Sequence, residues 1–201
     1  MQTPRFVRKL QRSLRSVPMA LGIDMYKQTE DRRVLEKEVF PYFVSSSQYS
    51  KVLFVGCAWY TRGYNTIFKG KDFQTLEIDP SEAKHGARKH ITDSFENINH
   101  HFDGDELDLI ICNGVFGWGL DEKANVEAAF QGCFRCLRQG GVLVLGWNDI
   151  PERCPFSLDE CQSLKSFQKF IFPPLSTAQY RTSTVNNHTY SFFVKRDEAL
   201  N

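Results

Sequence analysis

Apolar residues along this chain fall into two rhythms. Residues 51–55, 73–78, 107–112 and 142–147 are short, nearly continuous apolar runs. Each is marked off by turn residues: Gly56 after the first, Asp79 and Pro80 after the second, Asn113 and Gly114 after the third, and Gln139, Gly140 and Gly141 before the fourth. Between the runs, apolar positions recur every three or four residues, as in 122–137, where Val126, Ala129, Phe130 and Phe134 share one side. Short buried strands alternating with helical spacing predict a parallel sheet covered on both faces.

The flanks differ. Residues 30–40 have helical spacing, with Thr29 as N-cap, Glu30 and Asp31 at the positive end of the helix dipole, and Pro41 as the stop. Val34, Leu35 and Val39 then face the core. Residues 4–14 place Phe6, Val7, Leu10 and Leu14 on one face with basic residues between. At the other end, 180–184 and 189–195 flank Val185, Asn186, Asn187 and His188 and predict a hairpin. The expected fold is α/β: a doubly wound, mostly parallel sheet of about seven strands with an antiparallel C-terminal hairpin. Residues 1–45 are expected to form a helical segment that can act as a lid, with Ile23–Lys27 closing over a site and Tyr26 as a contact. Residues 46–201 form the main domain.

A chain of 201 residues suits one sizeable core. The net charge of +1 gives no electrostatic case for nucleic acid. It is unevenly spread, since residues 1–23 hold Arg5, Arg8, Lys9, Arg12 and Arg15 and no acid. Such a start suits a lid or an oligomer contact; an anionic surface or an organellar transit signal are the alternatives. No apolar run nears the ~20 residues that span a bilayer, and there is no secretory apolar core, so no membrane partner is expected. Six cysteines without a secretory signal read as free thiols and point to the cytoplasm. Cys133 and Cys136 share a helix face with no second close pair after them, so buried thiols are expected and no metal site.

In an open parallel sheet ligands bind beyond the carboxyl ends of the strands, where strand order reverses. After the first strand, Gly56 and Ala58 are small enough for a ligand to lie against the backbone; a plain tight turn is the alternative. Glu77 ends the second strand, where a carboxylate can accept hydrogen bonds from ribose hydroxyls, whereas Asp79 before Pro80 suits a helix cap. Asp93 and Ser94 follow the third strand, as an adenine contact or as a helix cap. After the fourth come Asn113 and Gly114, then Phe116, Gly117, Trp118 and Gly119, as a pocket floor or as aromatic residues tucked into the core.

From 51 to 195 the chain resembles the class I methyltransferases that use S-adenosylmethionine (SAM). The resemblance is carried by 52–58 as the glycine motif, by Leu76-Glu77-Ile78-Asp79-Pro80 as the acidic strand end, and by Asp93-Ser94. Its longest stretch is 107–147, with LDLIICNGVFGWGLDE, a helix, and CLRQGGVLVLGW. The resemblance implies that Gly56, Cys57 and Ala58 lie at the amino-acid end of the cofactor. It assigns Glu77 to the ribose, with Ile78 beside it among the cofactor contacts, Asp93 and Ser94 to the adenine edge, and Asn113 and Gly114 to the methionyl group. Three positions depart from the family pattern. Phe54 replaces an acid, and Ala58 and Tyr60 replace glycines, which makes a bulkier turn. The Asn-Pro-Pro-aromatic motif of nucleic-acid and amide N-methyltransferases is absent, which argues against nucleic acid as substrate.

Methyl transfer from a sulfonium needs no acid for the leaving group, so positioning carries most of the catalysis. A base matters only when the acceptor must lose a proton. The candidates are His85, His90, His100, His101 and His188, none of them singled out as catalytic. Tyr60, Phe116, Trp118 and Trp147 fall at strand ends and are expected to line a pocket for a flat or apolar small molecule. A methyltransferase acting on a small molecule is therefore expected. The alternatives are a related transferase such as an aminopropyltransferase, and a non-catalytic protein that binds SAM or S-adenosylhomocysteine (SAH).

Overall fold

The computed structural model describes residues 29–196. The strands are β1 (Lys51–Val55), β2 (Asp72–Glu77), β3 (Lys89–Thr92), β4 (Leu107–Asn113), β5 (Leu137–Asn148), β6 (Gln168–Lys169), β7 (Gln179–Arg181) and β8 (His188–Val194). They form one sheet in the order β3-β2-β1-β4-β5-β8-β6, with β7 also beside β8. β1 to β5 pair in parallel, and β8 runs antiparallel to β5. The chain builds outward from β1 to β3 and then returns to add β4 on the other side of β1. That reversal opens a crevice above the carboxyl ends of β1 and β4.

The sheet has eight strands rather than about seven because its outer edge is one strand in two pieces. Gln168 and Lys169 pair with Val194 and Phe193, and Gln179–Arg181 continues along β8 against Ser191 to Thr189. Residues 171–177 loop out between them around a 3-10 turn, Pro173–Leu175. β5 begins at Leu137, ahead of the apolar run. A register shift against β4 between Leu107 and Leu109 absorbs the Gly140-Gly141 stretch.

Strand alternation sorts the core into two layers. Leu53, Val55, Ile110, Cys112, Leu143 and Leu145 pack beneath α4 (Lys123–Cys136), which buries Val126, Ala129, Phe130 and Cys133. Val52, Phe54, Leu109, Ile111, Val142 and Val144 form the other face, covered by the N-terminal helices. Both faces are therefore buried, as the unbroken apolar runs predict. The links between strands differ from expectation. Of the links between the parallel strands only the one through α4 holds a long helix; β1 joins β2 through a 3-10 turn (Trp59–Thr61) and the four-residue α3 (Tyr64–Ile67), and the next two links are 3-10 turns.

Pro41 does not stop the first helix. α1 (Glu30–Val34) runs through a π-helical turn (Leu35–Val39) into α2 (Phe40–Ser45), with Pro41 in the first turn of α2. Proline lacks an N–H and clashes with the carbonyl four residues back. The wider π turn before it relieves both demands, so the helix continues. Val34, Leu35 and Val39 are buried as expected, whereas Thr29 occupies the N-cap position without a side-chain cap bond. The β7–β8 hairpin forms, but His188 belongs to β8 and is buried rather than sitting in the turn. The basic helix expected at 4–14 and the lid residues 23–27 lie outside the described residues. No helix among the described residues is long and apolar enough to cross a membrane.

Candidate functional site

The crevice at the strand-order reversal is floored by the turn after β1. Gly56 has φ +98°, and a Cβ there would lie 2.7 Å from the Asn113 carbonyl oxygen and 2.8 Å from Val115 Cγ2. Only glycine accepts that dihedral without strain, and only glycine lets the ends of β1 and β4 come this close. The Gly56 N–H donates to the Leu76 carbonyl at 3.1 Å. The Cys57 N–H donates to Glu77 Oε2 at 3.0 Å, and the Asp79 N–H to Glu77 Oε1 at 3.0 Å. Glu77 thus braces the turn from the end of β2. Burial pushes the Cys57 thiol up to about 12, so it stays protonated and inert at neutral pH. Ala58 closes the turn through Thr61, whose hydroxyl donates to the Ala58 carbonyl at 2.8 Å.

The bulky residues after Ala58 do not fill the crevice at random. Tyr60 lies edge-on to Trp59, and the Arg32 guanidinium of α1 stacks 3.6 Å above the Tyr60 ring. Phe54, which stands where the family carries an acid, is buried against Phe40 and Tyr64. Glu30 at the start of α1 accepts hydrogen bonds from the Ser183 amide at 2.8 Å and from Tyr180. α1 therefore joins the glycine turn to the β7–β8 hairpin along one wall of the crevice.

Beyond Glu77, Ile78 is 64% exposed, an apolar surface beside a carboxylate. Asp79 accepts from the Ser81 N–H at 2.9 Å, which is the cap role expected of it. Asp93 is tied up locally. Its Oδ1 accepts from Asn97 Nδ2 and from the Ser94 N–H, and its Oδ2 meets His101 Nε2 at 2.6 Å. These partners, the Asn97 amide first and then His101, pull its carboxyl down to about 2. Ser94 starts a 3-10 turn, Phe95–His100, with its hydroxyl on the Glu96 carboxylate. Ser94 thus occupies the N-cap position of this turn without a side-chain cap bond, and the pair stands just after the end of β3.

On the far side, Gly114 has φ +69° with open space where a Cβ would stand, and its N–H donates to the Gly146 carbonyl at 2.9 Å. The four pocket aromatics separate. Phe116 is fully buried, edge-on to Trp147 and Phe156, and Trp147 is buried with Nε1 donating to Ser191 Oγ at 3.2 Å. Both are core side chains. Trp118 is 40% exposed, with the Arg153 guanidinium 3.6 Å over its ring, and Tyr60 is half-buried at the glycine turn. Sequence reasoning missed Arg32 and Arg153; a cation on an aromatic ring needs tertiary contact and leaves no sequence spacing to read.

Of the histidines, His90 Nδ1 bonds Thr75 Oγ1 at 2.8 Å, and burial lowers both His85 and His90. His100 is exposed and His101 is held by Asp93. His188 is buried between Asn148 and Asn113. All six cysteines are free thiols, and Cys133 and Cys136 are buried in α4. Among the described residues no group of three or more His, Cys, Asp or Glu is arranged to hold a metal ion.

With this geometry in place, residues 55–145 match the family model described as a methyltransferase domain. That match covers a little under half of the chain, and beyond it the likeness to known methyltransferases is one of fold. No curated protein matches the chain in sequence. Its fold is similar to that of N-methyltransferase NodS from Bradyrhizobium japonicum in complex with SAH, with a TM-score of 0.65 at 14% identity over 92% of this chain and 100% of that one. It is similar as well to a TehB-like SAM-dependent methyltransferase from Corynebacterium glutamicum, with a TM-score of 0.61 at 16% identity over 96% and 100%. A SAM-dependent methyltransferase from Archaeoglobus fulgidus gives a TM-score of 0.55 at 14% identity over 81% and 91%. At these identities the likeness is one of fold. The matched residues, 55–145, include the glycine turn, Glu77, Asp93 and Asn113.

Proposed function

We propose that this methyltransferase domain binds SAM across the crevice between β1 and β4 and transfers its methyl group to a small-molecule acceptor. The observation that carries the reading is the glycine-only turn at Gly56, where a Cβ would meet the Asn113 carbonyl, with the Glu77 carboxylate bracing the turn from β2. Gly56, Cys57 and Ala58 hold the amino-acid end, and Asn113 and Gly114 receive the methionyl group. Glu77 takes the ribose hydroxyls, since it ends β2 beside the glycine turn, where a carboxylate can accept hydrogen bonds from a bound ribose. Ile78 offers its exposed face to the adenine ring, and Asp93 and Ser94 stand at its edge. When bound, SAM supplies a methyl group on a cationic sulfur.

Trp118 and Tyr60 supply aromatic faces on either side of the crevice, suited to a flat or cationic acceptor and to the sulfonium. His188 is enclosed, so the chain's part in catalysis is orientation and exclusion of water. The six free thiols support a reducing, cytoplasmic setting. Titration calorimetry with SAM and SAH tests the reading, with micromolar binding of both expected. Failure of both to bind below millimolar would sink it. A second reading, a SAM- or SAH-binding protein without turnover, draws on the aromatic turn Trp59-Tyr60 pinned by Arg32. Methyl-donor turnover against metabolite pools separates the two.

A further inference from the structure

Three strands bring one polar chain together behind the crevice. Asn113 pairs with Gly146 across β4 and β5, and Asn148 pairs with His188 across β5 and β8. Gly146 makes the meeting possible, because a Cβ there would lie 2.0 Å from Asn113 Oδ1 and 3.0 Å from His188 Nε2. The His188 ring reaches Asn148 Oδ1 with Nδ1 at 2.7 Å and Asn113 Oδ1 with Nε2 at 3.1 Å. His188 and Asn148 are buried, whereas Asn113 is half-buried at the crevice. The Tyr190 ring stands edge-on to the imidazole at 4.9 Å and closes its far side.

Burial lowers the imidazole to about 4, so the ring is neutral at pH 7 and has a single N–H. One N–H cannot serve two amide oxygens. The shorter contact takes the proton, so Nδ1–H donates to Asn148 Oδ1. Nε2 is then a lone pair, and Asn113 meets it with its amide N–H. Which end of an amide is oxygen follows from its hydrogen-bond network, and this network turns Asn113 Oδ1 away from His188.

We propose that His188 is a positioning residue of the cofactor site: its Nε2 accepts a hydrogen bond from the Asn113 amide and holds Asn113 Oδ1 toward the crevice, where it accepts from the α-ammonium of a bound methionyl group. The role rests on the SAM reading above. Asn148 acts one step further back by fixing the tautomer, and Gly146 keeps the path clear.

The test is calorimetry of the full chain with SAM and SAH, together with nitrogen-15 NMR of the His188 ring. The wild type is expected to show the Nδ1–H tautomer with no ligand present. His188→Phe keeps a ring but offers no acceptor, and SAM binding is expected to weaken about tenfold, the worth of one hydrogen bond. His188→Gln places an amide oxygen near the Nε2 position and is expected to recover affinity to within about threefold. Asn148→Leu, remote from the ligand, is expected to weaken SAM binding part-way and to release the tautomer. Circular dichroism and a cooperative melt establish that each variant is folded. Wild-type affinity in folded His188→Phe, or an Nε2–H tautomer in the wild type, overturns the positioning role alone. Should His188→Phe not fold, wild-type affinity in Asn148→Leu with its tautomer released does the same. Wild-type protein that binds neither SAM nor SAH overturns the cofactor reading, and this role with it.

Discussion

Glu77 Oε2 accepts the backbone N–H of Cys57 at 3.0 Å, so the end of β2 holds the turn that follows β1. The same carboxylate accepts the Asp79 N–H, and one side chain thus orders two loops of the crevice. Glu77→Gln keeps the shape but removes the charge and turns half of the acceptor into a donor. SAM affinity is expected to fall about ten- to a hundredfold, as charge-assisted bonds weaken. Calorimetry reads the loss, and an unchanged Kd would remove Glu77 from the cofactor site.

Gly56→Ala meets a sterner obstacle. The added Cβ collides with backbone, the Asn113 carbonyl, at a dihedral that L-residues avoid. Destabilisation of about 1–3 kcal/mol is expected, with SAM binding lost beyond tenfold because β1 and β4 must part. Urea unfolding gives the first quantity and calorimetry the second. Gly114→Ala shares a positive φ but has open space around its Cβ, so it is expected to cost less.

Two groups give the stability a pH signature of opposite origin. His188 titrates near 4 in the fold and near 6.5 when unfolded. The unfolded chain therefore takes up this proton first, and stability falls as pH drops from about 6.5 to about 4. Asp93 titrates near 2 in the fold. Its contribution is present above its unfolded value of about 4 and is lost as pH falls toward 2; solvent exposure keeps it small. Urea midpoints measured across this range are expected to flatten above pH 4 in His188→Gln and below pH 4 in Asp93→Asn. A His188→Gln profile parallel to wild type would contradict the first assignment.

Tryptophan emission separates two of the three indoles. Trp118 is exposed under Arg153, whereas Trp147 is buried with its N–H on Ser191. Ligand-induced quenching is expected to be largely lost in Trp118→Phe and retained in Trp147→Phe. Retention in both would place the acceptor away from Trp118.

Much of the site's skeleton is legible in the chain, because strand ends announce themselves. Apolar runs closed by Gly56, Asp79 and Gly114 mark where a parallel sheet presents its loops, and the order of runs gives the fold class. Pro41 misleads because its cost is relieved by a π turn whose formation depends on packing of Val39 and Phe40, which no local pattern encodes. Phe116 and Trp118 stand two residues apart in one glycine-rich loop, yet one is core and the other is rim. The positive φ of Gly117, wedged against the Arg153 carbonyl, parts them. His188 reads as a turn residue from its asparagine neighbours; only the ladder with Asn148 draws it into the sheet.

The interrupted outer strand has a practical consequence. Residues 171–177 leave the sheet and rejoin it with the β8 pairing intact on both sides, and Ile171 is 60% exposed. The last wall of the domain therefore already tolerates an excursion of the chain. A fluorescent or affinity peptide spliced in between the exposed Pro173 and Pro174, clear of the buried Phe172 that stacks on Phe192, is expected to leave the sheet undisturbed. Nature has left a seam there, and the protein can be instrumented along it.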